Sequence, residues 1–340
     1  RRDMAPALGC TEPACVAIAA ATAMKAIGGE IKKIDAAVNS NIYKNGMSVS
    51  IPKFPKMGLD YAVAMGALIG DPSKSLQVLE DFNPDDCDKV IEMVETGSVK
   101  VNIDRDQHCI YVRCDITTTN GVGTAIIKGA HTNVVLIQKN GVDIMRNEDI
   151  GHTQENTLLD KLLKMKISEM RELVDTASAQ ELSFLNEGID MNEKVAQFGL
   201  EHDAGIGVAR VLSNDCSKVL GDGLMTRTML KVSSAIEARL NGCPMSVMSS
   251  AGSGSKGVAM IVPIVEIARA VGASEEKMLR AVALGDLLNS YINAKIGKLV
   301  AMCTCVAAAS TAASVSMTWL MGGNDEQMGW AVRNMTGAIA

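Results

Sequence analysis

A cysteine stands at residue 10 in Pro6-Ala7-Leu8-Gly9-Cys10-Thr11-Glu12-Pro13, directly ahead of a long run of small apolar residues. That run predicts a helix over about 14–27, with Thr11 as its N-cap and Pro13 in its first turn. Free amides and the positive end of a helix dipole beside Cys10 favour thiolate over thiol. A thiolate is a nucleophile or a metal ligand; a small buried core residue is the other reading of a single cysteine. Cys303 and Cys305 make a second thiol feature, within the stretch from Gly297 to Ala309. Alternate residues of a helix point to different faces, so this pair is not expected to serve one metal centre together. Cys243, in Asn241-Gly242-Cys243-Pro244, reads as part of a loop.

The segment Ser249-Ser250-Ala251-Gly252-Ser253-Gly254-Ser255-Lys256-Gly257 precedes an apolar helix. Its small residues allow close backbone approach and present free amides, a cradle for a carboxylate or phosphate. A flexible connector between helices is the alternative. It is not a P-loop, because Val258 follows the last glycine. Gly252, Gly254 and Gly257 satisfy G-x-G-x-x-G, but helix and a Gly-Cys-Pro loop precede them, with no strand of a βαβ unit. His131, in Gly129-Ala130-His131-Thr132-Asn133, is placed at the start of a strand among polar neighbours. His108, His152 and His202 read as surface residues, and Glu237 and Arg239 as solvated helix charges. H-E-x-x-H, C-x-x-C and G-x-S-x-G are absent, so neither a conventional zinc site nor a nucleophile elbow is supported.

Two textures must position these residues. From about 36 to 149 the pattern is β-rich, with strands expected at 37–39, 47–51, 99–103, 110–118, 123–128 and 133–138. Asn-Gly pairs at 45–46, 120–121 and 140–141 are hairpin signals, and helices are expected at 58–69 and 85–95. From about 157 onward the pattern is helical: 158–166, 167–176, 179–198, 207–212, 225–240, 258–271, 274–297, 299–321 and 324–340. The expectation is an α+β fold: an antiparallel-sheet subdomain over 31–155, an all-helical catalytic domain over 156–340, and an N-terminal helix (1–30) packing with the helical domain. Cys10 would then lie near Cys303 and Cys305.

Of 340 residues, 47% are hydrophobic but only 3% aromatic, with 21 Met and 30 Gly, so the core is aliphatic and its helices close-packed. Net charge is −6 and no basic stripe is interleaved with aromatics, which argues against nucleic acid. Arg1-Arg2-Asp3 does not open a secretory signal. Residues 299–324 carry no charge, but their Ala, Ser, Thr and Gly content suits a core helix better than a membrane span. Nine scattered cysteines fit a reducing cytoplasm.

PALGCTEP at 6–13, SNIYKNGM at 40–47, GAHTN at 129–133, GCPMSVMSSAGSG at 242–254 and the stretch from Gly297 to Ala309 occur in order across nearly the whole chain. Together they resemble the L-cysteine desulfidase family, related to the alpha chain of iron–sulfur L-serine dehydratases. The resemblance implies a [4Fe-4S] lyase that needs no pyridoxal phosphate and eliminates sulfide from L-cysteine, giving pyruvate and ammonia. L-serine dehydration is the alternative, and a non-catalytic amino-acid-binding or scaffold protein is the alternative of another class. By position Cys10 matches the first cluster ligand and Cys303 the second, with Cys305 as its substitute. The third is expected in a C-D-G-A-type motif beyond Ala340, and a short further helix ahead of Arg1. Expected substrate contacts are Asn41, Lys44, Asn45, His131, Thr132, Asn133, Ser249, Ser250, Gly252, Ser253 and Gly254, with Glu12 as the candidate base. The expected partner is a small amino acid, with no nucleic acid or membrane, and a homodimer among the assemblies anticipated.

Overall fold

The computed structural model describes residues 4–147, 157–202, 204–216, 220–297, 300 and 302–339. Its contacts divide the chain into two units: one of residues 7–154 and 240–245, the other of 1–6, 155–239 and 246–340. The fold is α+β, with a mixed sheet in the first unit and helices throughout most of the second.

A short strand β1 (Pro6–Leu8) leads into α1 (Thr11–Ile27) of the first unit. Then come β2 (Ile31–Asn39), α2 (Ser40–Gly46), α3 (Leu59–Ile69), α4 (Cys87–Glu95) and β3 (Val99–Asp104). Strands β4 (Tyr111–Thr118), β5 (Gly121–Lys128), β6 (Val134–Lys139) and β7 (Val142–Arg146) complete the unit. The six-stranded sheet runs β3-β2-β4-β5-β6-β7. Every pair is antiparallel, as expected, except β2–β3, which is parallel and makes the sheet mixed. Thr118 faces Gly121 and Lys139 faces Val142 across two-residue turns, as the Asn-Gly signals there predicted.

The helix after Cys10 was expected to pack with the helical domain. It packs instead on α3, β4 and β5 of the sheet unit. Its small residues fit two close approaches there: a Cβ on Gly66 of α3 would lie 2.4 Å from the Ala17 carbonyl, and one on Gly123 of β5 would lie 2.4 Å from that of Ala23. Lys44-Asn45-Gly46 is no hairpin turn but the end of α2, where Gly46 leaves room for Leu59. The strand expected over 47–51 is reduced to one bridge, Ser50 to Met57.

The helical unit is organised by the helices Gly254–Ala270, Glu275–Ile296 and Thr311–Leu320. Met260, Ile261, Ile264, Leu279, Val282 and Ala313 form one buried cluster, and Leu284, Leu288, Ala312, Val315, Met170 and Val174 another. The helix at Ile167–Thr176 has the predicted bounds. The helix expected over 299–321 starts later among the described residues, and its first part is π-helical: Cys305–Ser310 runs directly into the ten residues Thr311–Leu320. Among the described residues no helix is long and apolar enough to cross a membrane. Lys298, Leu299, Ala301 and His152 lie outside the described residues, so the readings made of them have no structural counterpart here.

Candidate functional site

Cys10 is the N-cap of α1, one residue earlier than the predicted cap Thr11, and the turn closes from Ala14 N–H to the Cys10 carbonyl at 3.3 Å. Gly9 before it takes φ +64°, and a Cβ there would stand 2.9 Å from Pro52 Cδ. Cys10 is buried, at 8% exposure, in a pocket walled by Leu8, Pro13, Ile51, Pro52 and Leu79. Thr11 does not cap: its hydroxyl donates to Glu12 Oε2 at 3.1 Å, while Asn45 Nδ2 donates to Oε1 at 3.0 Å. The structure thus joins two expected site residues, Glu12 and Asn45, in one part-buried cluster. Both Glu12 oxygens are engaged there, as suits an anchored charge at the helix start.

Asn41 and Lys44 lie on α2. His131, Thr132 and Asn133 form the turn before β6 rather than the start of the strand, and Asn133 Nδ2 donates to the Lys128 carbonyl at 2.8 Å. These residues belong to the sheet unit, and Ser249, Ser250, Gly252, Ser253 and Gly254 to the helical unit.

In the helical unit the small-residue segment is no open loop. A three-residue strand, Ser246–Met248, precedes it, where the sequence suggested none. Ser250 and Ser253 exchange backbone hydrogen bonds, both 3.1 Å, around Ala251 (φ +46°) and Gly252 (φ +76°). Positive φ at both central positions makes this a tight primed turn, with strain at Ala251. The expectation of free amides therefore fails at Ser250 and Ser253. Helix Gly254–Ala270 starts directly after, earlier than the predicted Val258, and Ser253 makes no side-chain capping bond. The amides of that first turn have no partner within their own helix.

Two buried cations converge on this helix start. Arg239, 2% exposed, donates from Nη1 to Ser255 Oγ at 2.7 Å, and its Nε would be 2.6 Å from a Cβ on Gly254. Lys256, 3% exposed, donates to the Ala251 carbonyl at 3.1 Å and to Asn293 Oδ1 at 2.5 Å. The reading of Arg239 and Glu237 as solvated is overturned. Glu237 is buried because its carboxylate accepts the backbone N–H groups of Gly207, Val208 and Ala209 at 2.8, 2.9 and 2.8 Å. Beneath the turn, Ser250 Oγ donates to Asp286 Oδ1 at 2.6 Å and accepts from Asn289 Nδ2 at 2.7 Å.

The thiols at 303 and 305 differ from their predicted arrangement. Cys303 precedes the helical segment, so the face alternation of a regular helix does not apply, and Cys303 hydrogen-bonds the Cys305 side chain. That bond and burial push the Cys305 thiol up, with the positive charges of Lys256 and Arg239 opposing. Burial likewise raises the Cys243 thiol, against a backbone bond from Met245.

The family profile described as serine dehydratase alpha chain matches residues 73–340. The chain belongs to the serine dehydratase alpha-chain family. Relatives include UPF0597 proteins of Clostridium tetani, 34% identical over 340 residues, and Alkaliphilus oremlandii, 35% identical over 342 residues. Each comparison covers 100% of this chain and 79% of the relative. A UPF0597 protein of Parabacteroides distasonis is 33% identical over 339 residues, covering 99% of this chain and 79% of the relative. The family is typically linked to iron–sulfur chemistry. Among the described residues, however, no group of three or more His, Cys, Asp or Glu side chains is placed to hold a metal ion. Cys303 and Cys305 bring two thiols together, and three cysteines are needed for the expected cluster. The described residues alone therefore do not compose a complete cluster site.

Sequence reasoning missed Arg239, Lys256, Asp286, Asn289 and Asn293. The last three had a signal: they recur at i, i+3 and i+7 on the helix Glu275–Ile296, in phase with buried Val282 and Leu279.

Proposed function

We propose that the protein is an amino-acid lyase that catalyses α,β-elimination from a small β-substituted L-amino acid, with L-cysteine as substrate in the first reading. The observation that carries this is the convergence of Arg239, Lys256 and the start of helix Gly254–Ala270, two buried cations at the positive end of a helix dipole. Two cationic donors beside the amides of a helix start suit a carboxylate, which accepts charge-assisted hydrogen bonds from each. In the forward reaction the Cα proton leaves to a base as the β-substituent departs. The aminoacrylate formed hydrolyses to pyruvate and ammonia, with sulfide or water as the other product. The role assigned here to Arg239 and Lys256 is to hold and orient the substrate carboxylate, which fixes the Cα–H bond relative to the leaving group.

The family description favours L-serine as the second reading. In the cluster-dependent form of the proposal, Cys10 and Cys303 are ligands, with Cys305 as the substitute for Cys303, and further thiol ligation is required. The test is anaerobic reconstitution of the full-length protein with iron and sulfide, followed by sulfide and pyruvate assays on L-cysteine and L-serine at equal concentration. Pyruvate from either supports the lyase, and the ratio assigns the substrate. No product from a fully loaded protein overturns the lyase, and amino-acid binding without turnover leaves the binding-protein alternative.

A further inference from the structure

Resting on the amino-acid reading above, we propose that Asn289 and Asp286 form the subsite for the substrate's α-ammonium group. Helix Glu275–Ile296 runs through the apolar interior of its unit, yet Asn289 is fully buried on it and Asn293 is 6% exposed. A buried polar group without a partner carries its full desolvation penalty. Asn293 meets that demand through Lys256, whereas Asn289 meets only half: Nδ2 donates to Ser250 Oγ, and Oδ1 has no hydrogen-bond partner among the described residues.

The direction of this chain of bonds is fixed by chemistry. An ionised carboxylate only accepts, so the Ser250 hydroxyl gives its proton to Asp286 Oδ1 at 2.6 Å. The hydroxyl oxygen must then accept from Asn289, which only the amide nitrogen can supply. Turning the amide round would set two acceptors 2.7 Å apart. The open acceptor at Asn289 Oδ1 is therefore built in, one helical turn from a carboxylate. A donor carrying positive charge satisfies that acceptor and lies next to the carboxylate, and a primary ammonium offers three N–H groups.

The same turn organises the opposite pole. Ser250 orders Asn289 and Asp286, the Ala251 carbonyl holds Lys256, and Ser255 holds Arg239. An acceptor end and a cationic end joined by six residues match the head group common to α-amino acids and leave the β-substituent unread. Asn289 and Asp286 would thus set the selection for a free α-amino group.

The test compares L-alanine, which has no leaving group, with propionate, the same molecule without the ammonium. Both are titrated by calorimetry into the full-length, anaerobically loaded protein. Wild type is expected to bind L-alanine about tenfold or more tighter than propionate, the worth of one charge-assisted hydrogen bond. Asn289→Leu and Asp286→Asn should each bring that ratio within about twofold by weakening L-alanine alone. Asp286→Asn keeps the side-chain volume and stands as the reading if Asn289→Leu does not fold. Equal weakening of both ligands, or an unchanged ratio in a folded variant, overturns the ammonium subsite while the lyase reading stands. Failure of the wild type to bind L-alanine or substrate overturns both.

Discussion

Lys256 Nζ lies 2.5 Å from Asn293 Oδ1, joining the first turn of helix Gly254–Ala270 to the last turns of helix Glu275–Ile296. A buried ammonium at the positive end of its own helix is unfavourable by itself. In the proposed lyase Lys256 is one wall of the carboxylate site, and Arg239 on Ser255 is the other.

Lys256→Met keeps most of the side-chain volume and removes the charge. Binding of L-alanine and of propionate should weaken together, by about tenfold or more, because the charged hydrogen bond to a carboxylate is lost. Calorimetry reads this; unchanged affinity for both ligands would remove Lys256 from the carboxylate site.

Glu237→Gln should destabilise the helical unit by about 1–3 kcal/mol. The carboxylate accepts three backbone N–H groups at Gly207, Val208 and Ala209, and an amide oxygen replaces them less strongly. Ile206, 91% exposed beside this anchor, marks where loosening would show. Urea denaturation and limited proteolysis near residue 206 are the measurements, and an unaltered midpoint with unaltered cleavage would refute it.

Gly66→Ala should cost about 1–3 kcal/mol by overpacking, since the new methyl would meet the Ala17 carbonyl at 2.4 Å and neither backbone is free to retreat. Gly97→Ala is the contrast for space alone: nothing lies within 4 Å of its added carbon, although its φ of +77° still strains an alanine. Thermal melts of the two variants separate steric from conformational cost.

Alkaline pH should weaken the fold through Cys15 and Cys114. Burial, with Glu12 adding to it at Cys15 and Asp115 and Asp35 at Cys114, pushes both thiols up in the folded state. Folding therefore holds protons that the unfolded chain releases near its ordinary thiol value of about 8.5. This contribution is fully present below that value and is lost as pH rises above it, towards the folded values. Denaturation at pH 8 and pH 10 should show a smaller pH-dependent loss in Cys15→Ala/Cys114→Ala than in wild type. Equal losses would sink the assignment.

The motifs at Cys10, Asn45, Ser249–Gly254 and Cys303 were all visible as residue types in sequence, and so was the succession of strands and then helices. Local signals carried that much: Ile167–Thr176 follows from its periodicity, and the turn at Asn140-Gly141 from its residue preference. β7 was not legible, because Val142–Arg146 is an exposed edge strand with no buried alternation to mark it. Gly46 looked like a hairpin glycine and is a packing one, a distinction that depends on Leu59 arriving from thirteen residues away.

By itself the sequence determined the α+β class, the family motifs and the presence of thiols and small-residue turns, since these depend on composition and short-range order. Only the tertiary structure decided that α1 belongs with the sheet, that Arg239 and Glu237 are buried, that Asp286 and Asn289 hold the turn at Ser250, and that Asn293 meets Lys256. The reason is physical: whether a polar side chain is solvated or functional depends on the desolvation and partners that distant segments impose, and no local spacing encodes them.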